Sequence, residues 1–345
     1  MHVIASKKLG RRDALGFGLG FIALSCGRGL PRAGGGAPQS PPPLPLGTNP
    51  NAVELWAWID FPNDPRKSEL SGIVWDAHAG LLFAVSDDPP RIVTIAPDAT
   101  FRDFCLGEAL DVDAKGPLDL EGIAALPDGF LLASEIGPRV IEVDRQGHYR
   151  RDIALPPELS EALPNKSLES LALSPSQRTV FIATEVGLPR DGGPATQARG
   201  SHIRIVALDR GTGAYEEHAY LTDPSPHTVG DYGVADLAAV SDDALLVLER
   251  GWSKVDGNTV RIYRVRLSED SPLRKTLLID LRTLDAHGFP PSKQPQPSKI
   301  LDNFEGLALG PHLPDGRRLL FVVSDDNGHE TQVARLLVLA LRTIG

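Results

Sequence analysis

The chain is 345 residues long and 41% hydrophobic, enough for a sizeable core, and carries a formal net charge of −10. Residues 1–26 hold Lys7, Lys8, Arg11 and Arg12 against Asp13, a net of +3, so the remainder is more acidic still, at −13. An acidic body lacks the basic footprint that nucleic acid requires, and 30 Pro with 34 Gly argue for many turns and few long helices.

Residues 1–26 start basic and continue into a mildly apolar run, Ala14 to Leu24, too short and too Gly-rich to span a bilayer stably. This segment is expected to be an export signal. Arg11-Arg12-Asp13-Ala14-Leu15 resembles the twin-arginine pattern, with Ala14 where Phe is usual, and Ala23-Leu24-Ser25-Cys26-Gly27 resembles a lipoprotein cleavage box. A lipid on Cys26 would anchor the protein to the envelope; ordinary cleavage near Ala37 would release it. The expected location is therefore periplasmic or anchored to the cell envelope, with membrane contact only through Cys26. Residues 27–50, with Pro41-Pro42-Pro43, read as a flexible linker, and residues 51–345 as one domain. If Cys26 belongs to the signal, Cys105 is the only thiol left in the domain. No internal disulfide is then expected, and Phe104-Cys105-Leu106 reads as a small buried hydrophobe.

Five times along the domain an apolar-acidic-small start leads through a turn into a hydrophobic strand that ends in an acid. The starts are Leu70-Ser71-Gly72-Ile73, Leu120-Glu121-Gly122-Ile123, Leu168-Glu169-Ser170-Leu171, Ala235-Asp236-Leu237-Ala238 and Phe304-Glu305-Gly306-Leu307. Short strands repeating between turns predict an all-β propeller of four-stranded blades. In the second repeat the strands are expected at Glu121–Leu126, Phe130–Ser134, Arg139–Val143 and Tyr149–Leu155. The third repeat carries an insertion, Gly187 to Gly200, and the fourth another around Trp252 to Asn258. The fifth lacks its outer strand, which Val53 to Asp60 can supply, closing the ring with both termini in one blade. Five blades are countable, and residues 187–232 or 268–300 leave room for a sixth.

Repetition gathers acids in two tiers. One lies at the start of the innermost strand (Glu121, Glu169, Asp236, Glu305, with Ser71 in the first repeat) and the other at the end of the second strand (Asp87, Glu135, Glu185, Glu249, Asp325). Crowded carboxylates repel unless a cation offsets them, and hard oxygen ligands suit Ca²⁺ or Mg²⁺ better than zinc. The alternative is that the acids accept backbone amides of the next blade and hold blades together. Glu121, Glu169, Asp236 and Glu305 are the candidate metal ligands. Asn165, Lys166, Asn303 and Arg250 are candidate substrate-binding residues, although Arg250, directly after Glu249, is expected first of all to neutralise that acid. Asp111-Val112-Asp113-Ala114-Lys115-Gly116 begins like a Ca²⁺ loop but has Lys115 at a ligand position and Gly122 where a Glu is required. No activated-serine elbow, phosphate loop, dinucleotide fingerprint or zinc-spaced His/Cys cluster occurs.

At Glu69-Leu70-Ser71-Gly72-Ile73, Asp119-Leu120-Glu121-Gly122-Ile123, Asn165-Lys166-Ser167-Leu168-Glu169 and Asn303-Phe304-Glu305-Gly306 the chain resembles the phytase-like, "esterase-like activity of phytase" family, over roughly residues 51–343. The resemblance implies an exported propeller whose acids serve phosphoester hydrolysis, and Ser71 leaves the acid ring incomplete in the first repeat. The expected protein is a metal-dependent hydrolase of a small anionic substrate such as a phosphate ester, with Ca²⁺ the expected ion, acting as a monomer. Glu121, Glu169, Glu305 and Arg139 would be its catalytic residues. The alternatives are a non-catalytic propeller that binds a ligand or envelope partner, and a lactonase-like hydrolase.

Overall fold

The computed structural model describes residues 53–62, 64, 69–268 and 270–342. The expected export signal, with Arg11, Arg12 and Cys26, and the 27–50 linker lie outside the described residues. Five four-stranded antiparallel sheets follow one another as the blades of a propeller. Blade 1 is β2 (Leu70–Asp76), β3 (Leu81–Ser86), β4 (Arg91–Pro97) and β5 (Phe104–Asp111). Blade 2 is β6 (Leu120–Leu126), β7 (Gly129–Ser134), β8 (Arg139–Asp144) and β9 (Tyr149–Ile153). Blade 3 is β10 (Leu168–Leu173), β11 (Thr179–Thr184), β12 (His202–Asp209) and β13 (Tyr215–Leu221). Blade 4 is β14 (Asp231–Ser241), β15 (Ala244–Ser253), β16 (Gly257–Arg266) and β17 (Lys275–Asp280). Blade 5 is β18 (Asn303–His312), β19 (Arg318–Asp325) and β20 (Arg335–Leu341), completed on its outer edge by β1 (Val53–Asp60).

Burial explains the strand sequences. The second strand of each blade has neighbouring blades on both faces, so it reads as a continuous apolar run: Phe130-Leu131-Leu132-Ala133 and Leu245-Leu246-Val247-Leu248 are fully buried. The outer strand β9 has solvent beside it, and Arg150, Arg151 and Asp152 are exposed there. Apolar seams fill the spaces between blades. One joins Leu246, Leu248 and Ile262 of blade 4 to Leu320, Val322 and Leu337 of blade 5. The innermost strands β2, β6, β10, β14 and β18 pack against one another in turn, and β18 returns to β2, so the ring is closed.

The closure expected from the sequence is present, with Val53 opposite Leu341 and Asp60 opposite Arg335. Residues 187–232 and 268–300 do not form a sixth blade; they supply the outer strands of blades 3 and 4 and the connections around them. Trp252 to Asn258 is not a loop insertion either. It is the end of a lengthened hairpin in which Trp252 pairs with Asn258 and Ser253 with Gly257. Cys105 is half-buried on β5 and disulfide-bonded, which corrects both the absence of an internal disulfide and the small buried hydrophobe expected there.

Candidate functional site: an acidic axial mouth

Each innermost strand slips register with its partner near the acid of the repeat. The slips fall between Leu70 and Ile73, Leu120 and Gly122, Leu168 and Ser170, Val234 and Asp236, and Phe304 and Gly306. A bulge leaves a residue unpaired and re-aims its side chain. The residues so placed are Ser71 with Gly72, then Glu121, Glu169, Ala235 and Glu305. The glycine after the acid has a packing reason: a Cβ on Gly306 would sit 2.4 Å from the Ser71 carbonyl oxygen, and one on Gly122 would sit 2.8 Å from Cβ of Leu171. Only glycine lets these inner strands approach so closely.

Blade 4 runs one residue out of phase with the repeat read from the sequence. Its bulge residue is Ala235, not Asp236. Opposite the bulge, Val234 pairs with Glu249 as Leu120 pairs with Ser134, so the acid position that follows on the second strand is filled by Arg250. Because side chains alternate faces along a strand, this slip redirects both acids. Asp236 turns between blades, where its two oxygens accept the backbone N–H groups of Leu237 and Leu307, each at 2.7 Å. Glu249, fully buried, accepts Tyr220 Oη (2.5 Å), Tyr232 Oη (2.7 Å) and Lys275 Nζ (2.6 Å) at the seam of blades 3 and 4.

Glu121, Glu169 and Glu305 do converge. Burial pushes Glu121 and Glu169 well above the usual carboxylate range; Glu121 is raised further by Glu305, Asp119, Asp87 and Glu135, and Glu169 by Glu121, Glu185, Glu305 and Glu135. Glu305 is also raised by burial, but Arg250 and Asn303 oppose the shift. Arg250 lies 3.0 Å from Glu305 Oε1, and Asn303 Nδ2 donates to that same oxygen at 2.9 Å. Burial alone would lower the Arg250 guanidinium, yet Glu305, Glu185, Glu169 and Asp231 hold it up.

The mouth is therefore asymmetric. On the side of blades 3 to 5, basic groups sit among the acids: Arg250 on Glu305, and Lys166 at 3.3 Å from Glu185 and 2.9 Å from Asp231. On the side of blades 5, 1 and 2, acids face acids. Ligand oxygens of Asp87, Asp119 and Glu121 lie within 4.8 Å of one another. Asp87 is raised by burial and then by Asp119, and Asp325 by burial, then Glu305 and Asp87. Glu69 is pushed up to about 7, first by burial and then by Asp87, Asp88 and Asp326. Among the described residues no basic side chain is paired with Asp87, Asp119 or Glu121. Three carboxylates without imidazole or thiolate fit a hard cation such as Ca²⁺ or Mg²⁺.

Not every acid at this end is available. Glu135 Oε1 accepts the N–H of Ser167 at 2.8 Å, joining blade 2 to blade 3, and Asp326 Oδ1 accepts the N–H of Glu69 at 3.1 Å, joining blade 5 to blade 1. These contacts and those of Asp236 match the blade-holding role weighed above. Arg139 is elsewhere: it binds Asp152 (2.6 Å) and the Lys115 carbonyl (2.7 Å), partners toward the outside of blade 2. Asn165 is exposed in the turn before β10, in a left-handed conformation (φ 54°). Asp119 and Glu69 were not among the candidates read from the sequence. Each stands two residues before a bulge position; alternation along the extended chain puts Asp119 on the face of Glu121, whereas Glu69, left-handed at φ 56°, is held at the mouth by its N–H on Asp326.

Fold and site together define an all-β propeller whose axis opens into an acidic mouth. A model of the phytase-like family, described as esterase-like activity of phytase, matches residues 66–328. The chain belongs to that family. A search of curated protein sequences finds no match. Among solved structures, a luciferin-regenerating enzyme is similar at 13% identity and a TM-score of 0.40, over 85% of this chain and 95% of that one. A putative oxidoreductase (glucose dehydrogenase) from Thermus thermophilus is similar at 15% identity and a TM-score of 0.39, over 84% and 99%. A protein from Lactobacillus plantarum is 16% identical with a TM-score of 0.37, over 74% of this chain, which spans 64% of that protein's length.

Proposed function

We propose that the protein is a cation-dependent hydrolase of phosphate esters, working at the axial mouth. The observation that carries this reading is the division of the mouth into a carboxylate trio without a basic partner among the described residues and a glutamate, Glu305, held by Arg250. Asp87, Asp119 and Glu121 would hold the cation, Ca²⁺ by donor type. A divalent ion supplies a polarised phosphoryl oxygen and a more acidic bound water. Arg250, kept charged by its acidic surroundings, would meet the anionic group of the substrate, which the carboxylates alone would repel. Lys166 at the rim would add a second positive charge on the approach. Glu169, buried and without a described hydrogen-bond partner, is placed to accept a proton from water or hold one for the leaving oxygen.

The substrate would be a small anion, met by a monomeric protein exported to the periplasm or held at the envelope. Hydrolysis of p-nitrophenyl phosphate and bis(p-nitrophenyl) phosphate, beside p-nitrophenyl acetate, with Ca²⁺ and with chelator, tests the reading. Chelator-sensitive cleavage of a phosphate ester that is lost in Glu121→Gln supports it. Cleavage of the carboxyl ester alone would favour a lactonase-like enzyme, and no turnover with retained Ca²⁺ binding would favour a binding propeller. That last alternative draws its own support from the blade-to-blade amide contacts of Glu135, Asp236 and Asp326.

A further inference from the structure

Beside the axial acids lies a cavity of about 240 Å³ between the Ile136-Gly137-Pro138 turn of blade 2 and the 162–165 segment that leads into blade 3. Its walls include Ile136, Pro138, Ala162, Leu163 and Pro164, and its polar lining residues are Glu135, Asn165 and Ser167. Two features separate it from an ordinary surface dent. First, Ile136 is 44% exposed, an apolar side chain left beside an opening that is otherwise charged. Second, Glu135 belongs both to the cavity lining and to the acids whose charges raise Glu121 and Glu169, so the cavity adjoins the axial glutamates.

We propose that this cavity receives the organic group of the ester, an aromatic ring or a branched aliphatic group of similar size, while the anionic group occupies the axis. The inference rests on the hydrolase reading above and adds the class of substrate. Size fits: an apolar cavity of about 150 Å³ suffices for benzene, so this one, at about 240 Å³, takes a single ring with a small substituent. Chemistry fits as well. Apolar walls with few convergent polar atoms are the usual lining of a small-molecule pocket, whereas the axis offers only charge. A ring seated here would turn the ester oxygen toward Glu135, the lining residue whose charge reaches the axial glutamates.

The test compares phenyl phosphate with methyl phosphate in the presence of Ca²⁺. Wild type should prefer the phenyl ester by roughly tenfold or more in kcat/KM, a discrimination of the size apolar pockets deliver, and the preference should lie in KM. Ala162→Phe, which fills the cavity from its wall, should reduce the preference to about twofold while methyl phosphate turnover stays the same. Ile136→Asp, at an exposed position that should not disturb folding, should weaken it in the same direction. An undiminished phenyl preference in both folded variants would overturn the pocket while leaving the hydrolase reading intact. If wild type cleaves neither ester, calorimetric titration with phenyl phosphate and with inorganic phosphate decides the pocket alone. Tighter binding of phenyl phosphate that Ala162→Phe abolishes upholds the pocket, and equal or absent binding of the two overturns it.

Discussion

One carboxylate oxygen of Asp236 accepts the backbone N–H of Leu307 at 2.7 Å, tying the innermost strand of blade 4 to that of blade 5. The other oxygen takes the N–H of Leu237, and the N–H of Leu171, on blade 3, also points at this carboxylate. Asp236 is 2% exposed, so these amides have no water to turn to. Asp236→Asn would set an NH₂ group against one of them, and a loss of about 1–3 kcal/mol is expected, the cost of a buried donor left unsatisfied. Urea unfolding should show that loss equally with Ca²⁺ and with chelator; a loss confined to the Ca²⁺ condition would make Asp236 a cation ligand.

Arg250 and Glu305 form the buried ion pair of the mouth. Arg250→Met leaves Glu305 with only Asn303, and removing one partner of such a pair destabilises by about 3–5 kcal/mol. The double variant Arg250→Met/Glu305→Met should recover much of that loss, because no unpaired charge remains. A double-variant cycle on unfolding midpoints measures the coupling; strict additivity would mean that the two side chains do not support each other.

Glu121→Gln keeps shape and removes charge from the most crowded part of the cluster. In chelator the variant should melt higher than wild type, since repulsion from Asp119, Asp87 and Glu305 is relieved. With millimolar Ca²⁺ the order should reverse, because wild type gains binding free energy that the variant has lost. Calorimetric melting of both proteins in both conditions reads this directly, and a wild-type melting temperature indifferent to Ca²⁺ would remove the cation from the account.

Burial raises Glu69 and Glu135 to about 7 and Asp302 to about 6. Between their ordinary values and these, the folded chain keeps protons that the unfolded chain has released, so stability falls as pH rises. The contribution is whole at pH 4 and gone above about 7. In chelator the protein should melt several degrees higher at pH 5 than at pH 8, on the order of 3–8 °C. A profile that climbs from pH 5 to pH 8 would show that these acids are ionised in the fold.

Much of this was legible in the sequence. Five repeats gave five blades, and the unmatched Val53–Asp60 run found its place as the edge of the last one, because a strand without a partner and a blade without an edge solve each other's problem. The three Leu-Glu-Gly-like and Phe-Glu-Gly starts located the axial glutamates. Blade 4 was not legible. Its Ala235-Asp236 and Glu249-Arg250 each offer an acid one residue from the functional position, and the bulge that sets the phase is a property of pairing, invisible in the apolar pattern. A one-residue error in a period of two reverses the face, which sends Asp236 between blades and brings Arg250 to the axis. Asp119 was within reach: Asp119-Leu120-Glu121 places two acids on one face by alternation alone.

Strand β1 begins at Val53, opposite Leu341, while its other end, Asp60 opposite Arg335, lies toward the acids that close β19. The polypeptide thus enters the propeller at the end remote from the mouth. Any tether leading into Val53 leaves from the base of the ring. An attachment made ahead of Val53 therefore meets the ring at its base and competes with no substrate for the acids.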